Sequence, residues 1–161
     1  MLQRVITARL QAALRTVRAS SGTTTHGFRP VIGIECHVQL NTPTKAFCRC
    51  APSTTATPNT RVCGVCLGEP GSLPVASRDA PLLGLKAAVA LDCEDLSETL
   101  EWDRKNYSYP DLPKGYQITQ ARTPIAQSGK LQVDENVVRI TSLHLEEDSA
   151  KTTDVLDHNR G

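Results

Sequence analysis

The apolar and polar positions of this chain fall into a few distinct periods. From Val31 to Leu40 they alternate: Ile32, Ile34, Cys36, Val38 and Leu40 fall on one face, and Gly33, Glu35, His37 and Gln39 on the other. That pattern predicts a half-buried strand with Cys36 facing the core. Earlier, Leu2, Val5, Ile6, Leu10, Leu14 and Val17 share one side of a helix at about 100° per residue, with Arg4, Arg15 and Arg18 opposite and Arg9 near the apolar side. Leu82, Leu83, Leu85, Ala87, Ala88, Val89, Ala90 and Leu91 make a stretch apolar almost all round. It predicts a helix of roughly twelve residues packed on a sheet, with Asp79 as its cap. Leu131–Val133 and Val137–Leu143 predict a hairpin around Asp134-Glu135-Asn136, preceded by a turn at Ser128-Gly129. Between Trp102 and Gln120, Pro110 and Pro113 exclude a helix. A rigid irregular loop is expected there, returning to extended structure at Tyr116–Thr119. Strands that alternate with one core helix give an α+β fold, a largely antiparallel sheet with a flanking helix.

The chain has 161 residues, 39% apolar and 22% charged, which is enough for one domain with a core and too little for two large ones. No apolar run approaches the roughly 18 to 20 residues of a membrane span, so no membrane partner is expected. The net charge of +1 conceals an asymmetry. Residues 1–34 hold five arginines and no acid, and the remainder holds 13 basic residues against all 17 acidic ones. The body is mildly acidic, so bulk charge gives no argument for nucleic-acid binding by this part. The Arg-rich, acid-free, Ser/Thr-tailed start predicts an organellar transit peptide and linker over residues 1–29, with the folded part over residues 30–161. The mitochondrial matrix is the expected destination and the plastid the alternative. The competing reading, an ordinary amphipathic first helix, would normally bring acidic residues for pairing.

The cysteines carry a metal pattern. Cys48-Arg-Cys50, twelve intervening residues and Cys63-Gly-Val-Cys66 place four thiols on two short knuckles able to wrap one tetrahedral Zn²⁺. With no coordination position left open, such a site is structural. Disulfides are the weaker explanation in a reducing compartment, and free thiols are the bland one. Cys36 and Cys93 read as small buried residues.

Two further groups suggest cation chemistry. Glu35 and His37 point the same way, about 7 Å apart along a strand, and can converge on one ion; the alternative is an ordinary polar face. His144-Leu-Glu146-Glu147-Asp148 ends a strand in three adjacent acids, whose repulsion is best tolerated around a divalent cation or several donors; the bland reading is a solvated loop. If that strand is regular, His144, Glu146 and Asp148 share a face and Glu147 does not, unless a bulge re-aims it. Lys105 and Lys114, set among Tyr107, Tyr109 and Tyr116, can meet phosphates as point charges.

Four stretches carry a resemblance: Val31–Leu40, Pro58–Pro74, Asp103–Gln120 and His144–Asp148. In this order they resemble the B subunit of the glutamyl/aspartyl-tRNA amidotransferase, from about Pro30 to Gly161. The resemblance implies a cradle domain similar to the glutamine synthetase fold, of which this chain holds the first half. It implies ATP-dependent, Mg²⁺-dependent phosphorylation of the side-chain carboxylate of misacylated Glu-tRNA(Gln). Ammonia released from glutamine by the A subunit then displaces the phosphate, with a C subunit completing the complex. It implies Glu35, His37 and Glu147 as Mg²⁺ or nucleotide groups, Glu146 second, Lys105 as the principal phosphate contact and Lys114 beside it. Ser108 stands where the family has an aromatic residue, and Ser149-Ala150-Lys151 replaces its Ala-Gly-Lys. The chain stops before the rest of the cradle, a helical domain and a tRNA-gripping tail, so alone it is expected to be inactive. The rival reading is a zinc-stabilised module that docks on protein or RNA and phosphorylates nothing, or an inactive truncated product.

Overall fold

The computed structural model describes the backbone of residues 4–11 and, with side chains, residues 33–52, 57, 59–109 and 112–148. Its elements run β1 (Arg4–Gln11), β2 (Ile34–Gln39), α1 (Gly64–Leu67), α2 (Asp79–Ala90), β3 (Asp95–Leu96), β4 (Asp103–Asn106), β5 (Tyr116–Thr119), β6 (Ala126–Val133) and β7 (Asn136–Glu147). The fold is α+β: an antiparallel sheet in the order β2-β1-β7-β6-β3 and a separate antiparallel pair, β4-β5. No helix among the described residues is long and apolar enough to cross a membrane.

β7 is the spine. β1 pairs along one side of it from Arg139 to Glu147, and β6 along the other from Asn136 to Leu143. The connection from β6 is the expected hairpin, with Asp134 at φ 52° opening its turn. Beyond Leu143 the side vacated by β6 is taken by β5 and the residue after it. There Gln117 Nε2 donates to the Glu147 carbonyl (2.6 Å) and Leu145 N–H donates to Gln120 Oε1 (3.0 Å). Gln120 is fully buried and satisfies a backbone donor that would otherwise be stranded.

The core lies where α2 crosses β6 and β7: Ala88, Ile125, Ala126, Ile140, Leu143 and Leu145, with Leu85, Leu91, Cys93 and Trp102 packed around it. α2 has the expected length but buries small residues, Ala80, Pro81, Gly84 and Ala88, while Leu82 and Val89 face solvent. Its cap is Arg78, with Ser77 Oγ accepting from the Asp79 N–H at 3.3 Å, so Asp79 sits inside the first turn instead of capping it. Phe47 and Trp102 meet edge-on at 4.9 Å and 86°, tying the cysteine segment to the core.

Four sequence expectations need correction. Residues 4–11, expected in a helix, form a strand between β2 and β7; two neighbouring edges with unpaired backbone groups outweigh a helical period. The rest of that helix lies outside the described residues. The apolar face of β2 is exposed, Cys36 included, because β2 is an edge strand and α2 packs over β6 and β7. Cys93, expected to be buried, is half-buried against the edge of the core. Ser128-Gly129 lies within β6, Ser128 at φ 58°; a side chain at Gly129 would meet Cys93 Sγ at 2.8 Å and the Leu91 carbonyl at 3.0 Å. Finally, Asp103–Asn106 pairs with Tyr116–Thr119 as strands, so only the segment between them is irregular.

A β-carbon at Gly84 would lie 3.0 Å from Ile125 Cδ1 and 3.1 Å from Leu145 Cδ2. Gly84→Val should therefore cost about 1–3 kcal/mol through overpacking. Urea denaturation should show a lower midpoint with an unchanged slope; an unchanged midpoint would mean α2 is not seated on the sheet in this way.

Candidate metal clip and acidic face

The two cysteine knuckles close through their own backbone. Lys45 N–H donates to the Cys50 carbonyl (2.8 Å) around the first, and Leu67 N–H to the Cys63 carbonyl (3.0 Å) around the second. The second continues into the single turn of α1 and ends at Gly68, φ 71°, where a β-carbon would sit 3.0 Å from Lys114 Cα. The four Sγ atoms of Cys48, Cys50, Cys63 and Cys66 lie within 4.8 Å of one another. Cys48 and Cys66 are 3.6 Å apart, and Cys63 and Cys66 3.8 Å. A tetrahedron with Zn–S bonds of about 2.3 Å has edges of about 3.8 Å, so the sulfurs fit a tetrathiolate zinc site. Burial, reinforced by Cys66, pushes the Cys48 thiol far up; burial and the neighbouring Cys63 raise Cys50. Burial also acts to raise Cys63, but the backbone N–H groups of Cys66 and Val65 and the thiols of Cys50 and Cys66 outweigh it and bring it down to about 7.

Register decides where the acidic residues point. His37 and His144 both pair with Thr7, Glu35 and Ser142 both with Arg9, and Gln39 and Glu146 both with Val5. Residues opposite one another share a face, so Glu35 and His37 lie on the same face as His144 and Glu146. They are two strand spacings away, about 10 Å. Glu35 is a further four residues along from Glu146, so their Cα atoms are roughly 15 Å apart.

The shift in the pairing of β1 with β7 falls between Arg9 and Leu10, where β7 carries an extra residue at Thr141, before the acids; from Ser142 through Glu147 the register is regular. Glu147 therefore points to the opposite face. There it forms a buried ion pair with Lys114 and accepts the Ile118 N–H at 3.3 Å, the two side chains being 8% and 4% exposed. The structure does not bring Glu147 together with Glu35 and His37, and it does not leave Lys114 open to a phosphate. Glu147 instead borders a small cavity with Lys45, Phe47, Cys48 and Cys66, on the clip side.

On the first face, Glu146 accepts from Thr119 Oγ1 (3.2 Å). His144 is held on both nitrogens: Nδ1–H donates to the Gln120 carbonyl, which leaves Nε2 to accept from the Ser142 hydroxyl at 2.7 Å. With both nitrogens engaged, His144 orders the strand end. Lys105, exposed on β4, is 5.2 Å from the centre of the Tyr107 ring. Tyr107, against some burial and aided by Glu146 and Glu35, holds its ammonium above the usual lysine range. Lys105 thus stands in the field of both carboxylates. Tyr116 lies between Arg104 (4.8 Å) and Lys114 (5.1 Å). Sequence reasoning missed the Lys114–Glu147 pair, since nothing in the spacing joins residues 33 apart, and it missed Lys45, whose ammonium lies among the cysteines.

A profile of the GatB/GatE catalytic domain matches residues 30–160. The chain belongs to the GatB/GatE catalytic domain family. Among curated relatives, the B subunit of the aspartyl/glutamyl-tRNA(Asn/Gln) amidotransferase of Thermosipho melanesiensis is 53% identical over 125 residues, which is 77% of this chain and 26% of the relative. The proteins of the same name from Persephonella marina and Rhodopirellula baltica are 52% identical over 129 residues and 49% over 128. They cover 78% and 76% of this chain, but only 27% and 26% of themselves. The chain thus spans about a quarter of the length of these GatB relatives.

The lowered Cys63 has a direct consequence for the metal-free clip. A thiolate, not a thiol, is alkylated. At pH 7.5 iodoacetamide should therefore modify Cys63 ahead of Cys48 and Cys50, with its rate half-maximal near pH 7. Mass mapping of labelled peptides reads the order, and equal labelling of the three would refute this electrostatic ranking.

Proposed function

We propose that this chain is the catalytic-domain portion of an amidotransferase B subunit. In the complete protein it phosphorylates the side-chain carboxylate of misacylated Glu-tRNA(Gln) with ATP and Mg²⁺. A carboxylate is a poor electrophile, and an acyl phosphate makes it open to ammonia, delivered here from glutamine by an A subunit in a complex with a C subunit. Phosphoryl transfer of this kind needs cations and positioning more than a protein nucleophile. The observation that carries the reading is the shared face of Glu35, His37 and Glu146 with Lys105 in their field. That face is too wide for every group to ligate one ion directly, but it suits a nucleotide phosphate chain with its cation lying along it. Lys105 would meet the phosphates, and Glu35, His37 and Glu146 the Mg²⁺ and its waters. Glu147 reaches the cation only by releasing Lys114. The remainder of a glutamine-synthetase-like cradle would close over the exposed β2 edge, and tRNA would be held by domains outside this chain.

The acid-free N-terminus supports a leader over residues 1–29 and delivery to the mitochondrial matrix, or to a plastid. Its removal takes β1 out of the sheet. β2 could then pair directly with β7, halving the separation of His37 from His144. The leader and the assembled site are thus alternatives for the same place in the sheet.

The test is ATP turnover stimulated by misacylated tRNA, measured on the complete B subunit with its A and C subunits. The B chain would start either at Met1 or at residue 30, and Glu35→Gln, His37→Ala and Lys105→Ala variants would be compared. The chain starting at residue 30 should be the more active, and each variant should lose about 100-fold or more while glutaminase activity persists. Variants as active as the parent would favour a docking module. Uptake of residues 1–29 fused to a reporter, by isolated mitochondria or by plastids, decides the compartment, and uptake by neither removes the leader.

A further inference from the structure

Lys45 is among the most enclosed charged side chains of the described fold, only 6% exposed. Its Nζ donates to the Arg61 carbonyl at 2.7 Å and lies 3.4 Å from Cys66 Sγ, and Cys66 is itself 4% exposed. No carboxylate among the described residues comes within ion-pair distance of it. A buried ammonium without a neighbouring anion is costly, and a carbonyl dipole offsets only part of that cost. Among the described residues, the group within hydrogen-bonding reach of the ammonium that can carry a full negative charge is the sulfur of Cys66. The complementary problem is on the other side of the contact, because four thiolates around a divalent ion leave a net charge of −2 enclosed by the same walls. Each charge answers the other.

We propose that Lys45 is the outer charge partner of the tetrathiolate metal centre. Its N–H⁺···S contact to Cys66 stabilises the metal-bound thiolate, slows loss of the ion and shields that sulfur from electrophiles. This rests on the reading of the four cysteines as a metal clip, but it is reached from different atoms, the ammonium and its lack of a carboxylate partner among the described residues. It also explains why the lysine lies on the same knuckle as Cys48 and Cys50. The Lys45 N–H that closes this knuckle on the Cys50 carbonyl fixes the backbone from which the side chain reaches across to Cys66. Lys45 also borders the cavity shared with Glu147, so the clip's charge is balanced close to the buried Lys114–Glu147 pair.

The experiment uses the complete protein purified with its metal. Zinc stoichiometry of the parent, by elemental mass spectrometry, tests the clip separately: about one ion per chain is required, and none would sink the clip itself. Zinc affinity by chelator competition, and release rate with a chromogenic chelator, are then compared for Lys45→Met, Lys45→Gln and Lys45→Arg. Loss of an outer partner of a metal site typically costs 10- to 100-fold in affinity. Lys45→Met should show a loss of about that size and faster release, with Cys66 newly open to iodoacetamide in the zinc-loaded protein. Lys45→Arg should stay within a few fold of the parent. Lys45→Gln, which keeps a donor without the charge, should fall with Lys45→Met; it also decides the matter if Lys45→Met does not fold. Parent-like zinc affinity and release in Lys45→Gln or Lys45→Met, with zinc present in the parent, would overturn the role of Lys45 and leave the clip standing.

Discussion

The two-residue period of β7 from Ser142 to Glu147 is the constraint from which the rest of the molecule follows. Because the strand stays regular through its last residue, consecutive side chains alternate. His144 and Glu146 go to one face, and Leu143, Leu145 and Glu147 to the other. Two adjacent carboxylates in the sequence therefore end in different surroundings. Glu146 joins the face of Glu35 and His37, while Glu147 is buried against Lys114 on the side of the core and the cysteine clip. A single residue inserted just before Leu143 would exchange the two roles and turn Leu143 and Leu145 out of the core together.

The clip acts on that strand through backbone contacts. Gly68, in a left-handed conformation that only glycine adopts at low cost, brings the end of α1 against Lys114, and Lys114 holds Glu147. Breaking such a buried pair by removing one partner typically costs about 3–5 kcal/mol. A metal that stiffens the knuckles therefore stiffens the strand end two contacts away. On the proposed reading, this would give a closed, structural ion a part in the geometry of the phosphotransferase site. The face proposed to bear the chemistry stays open, with Lys105 set on a two-stranded ribbon that is itself fastened to β7 by Gln117 and Gln120.

What the sequence made legible was what short periods encode. The alternation of residues 31–40, the β6–β7 hairpin, the length of α2 and the four cysteines each depend on neighbours a few positions apart. The exposed apolar face of β2 was not legible, because alternation reveals that a strand has two faces but not whether anything covers the second. The helix expected across residues 2–17 failed over residues 4–11 for a related reason. Val5, Thr7 and Arg9 alternate with Ile6, Ala8 and Leu10 as readily as they fit a helical stripe, and two available strand edges decided between them. Lys45 and Lys114 were unreadable as buried charges, since what hides them is the closure of loops that join residues 21 and 33 positions apart.

The face proposed for the divalent ion can be tested directly. The complete B subunit, crystallised with Mn²⁺ in place of Mg²⁺ and a non-hydrolysable ATP analogue, would show the ion by anomalous scattering at the manganese edge. The peak should lie over the face formed by Glu35, His37 and Glu146, with Lys105 on the phosphates and Lys114 still paired to Glu147. A peak on the clip side of the sheet, ligated by Glu147 with Lys114 displaced and Glu146 uninvolved, would contradict the division of the two carboxylates on which this view of the molecule rests.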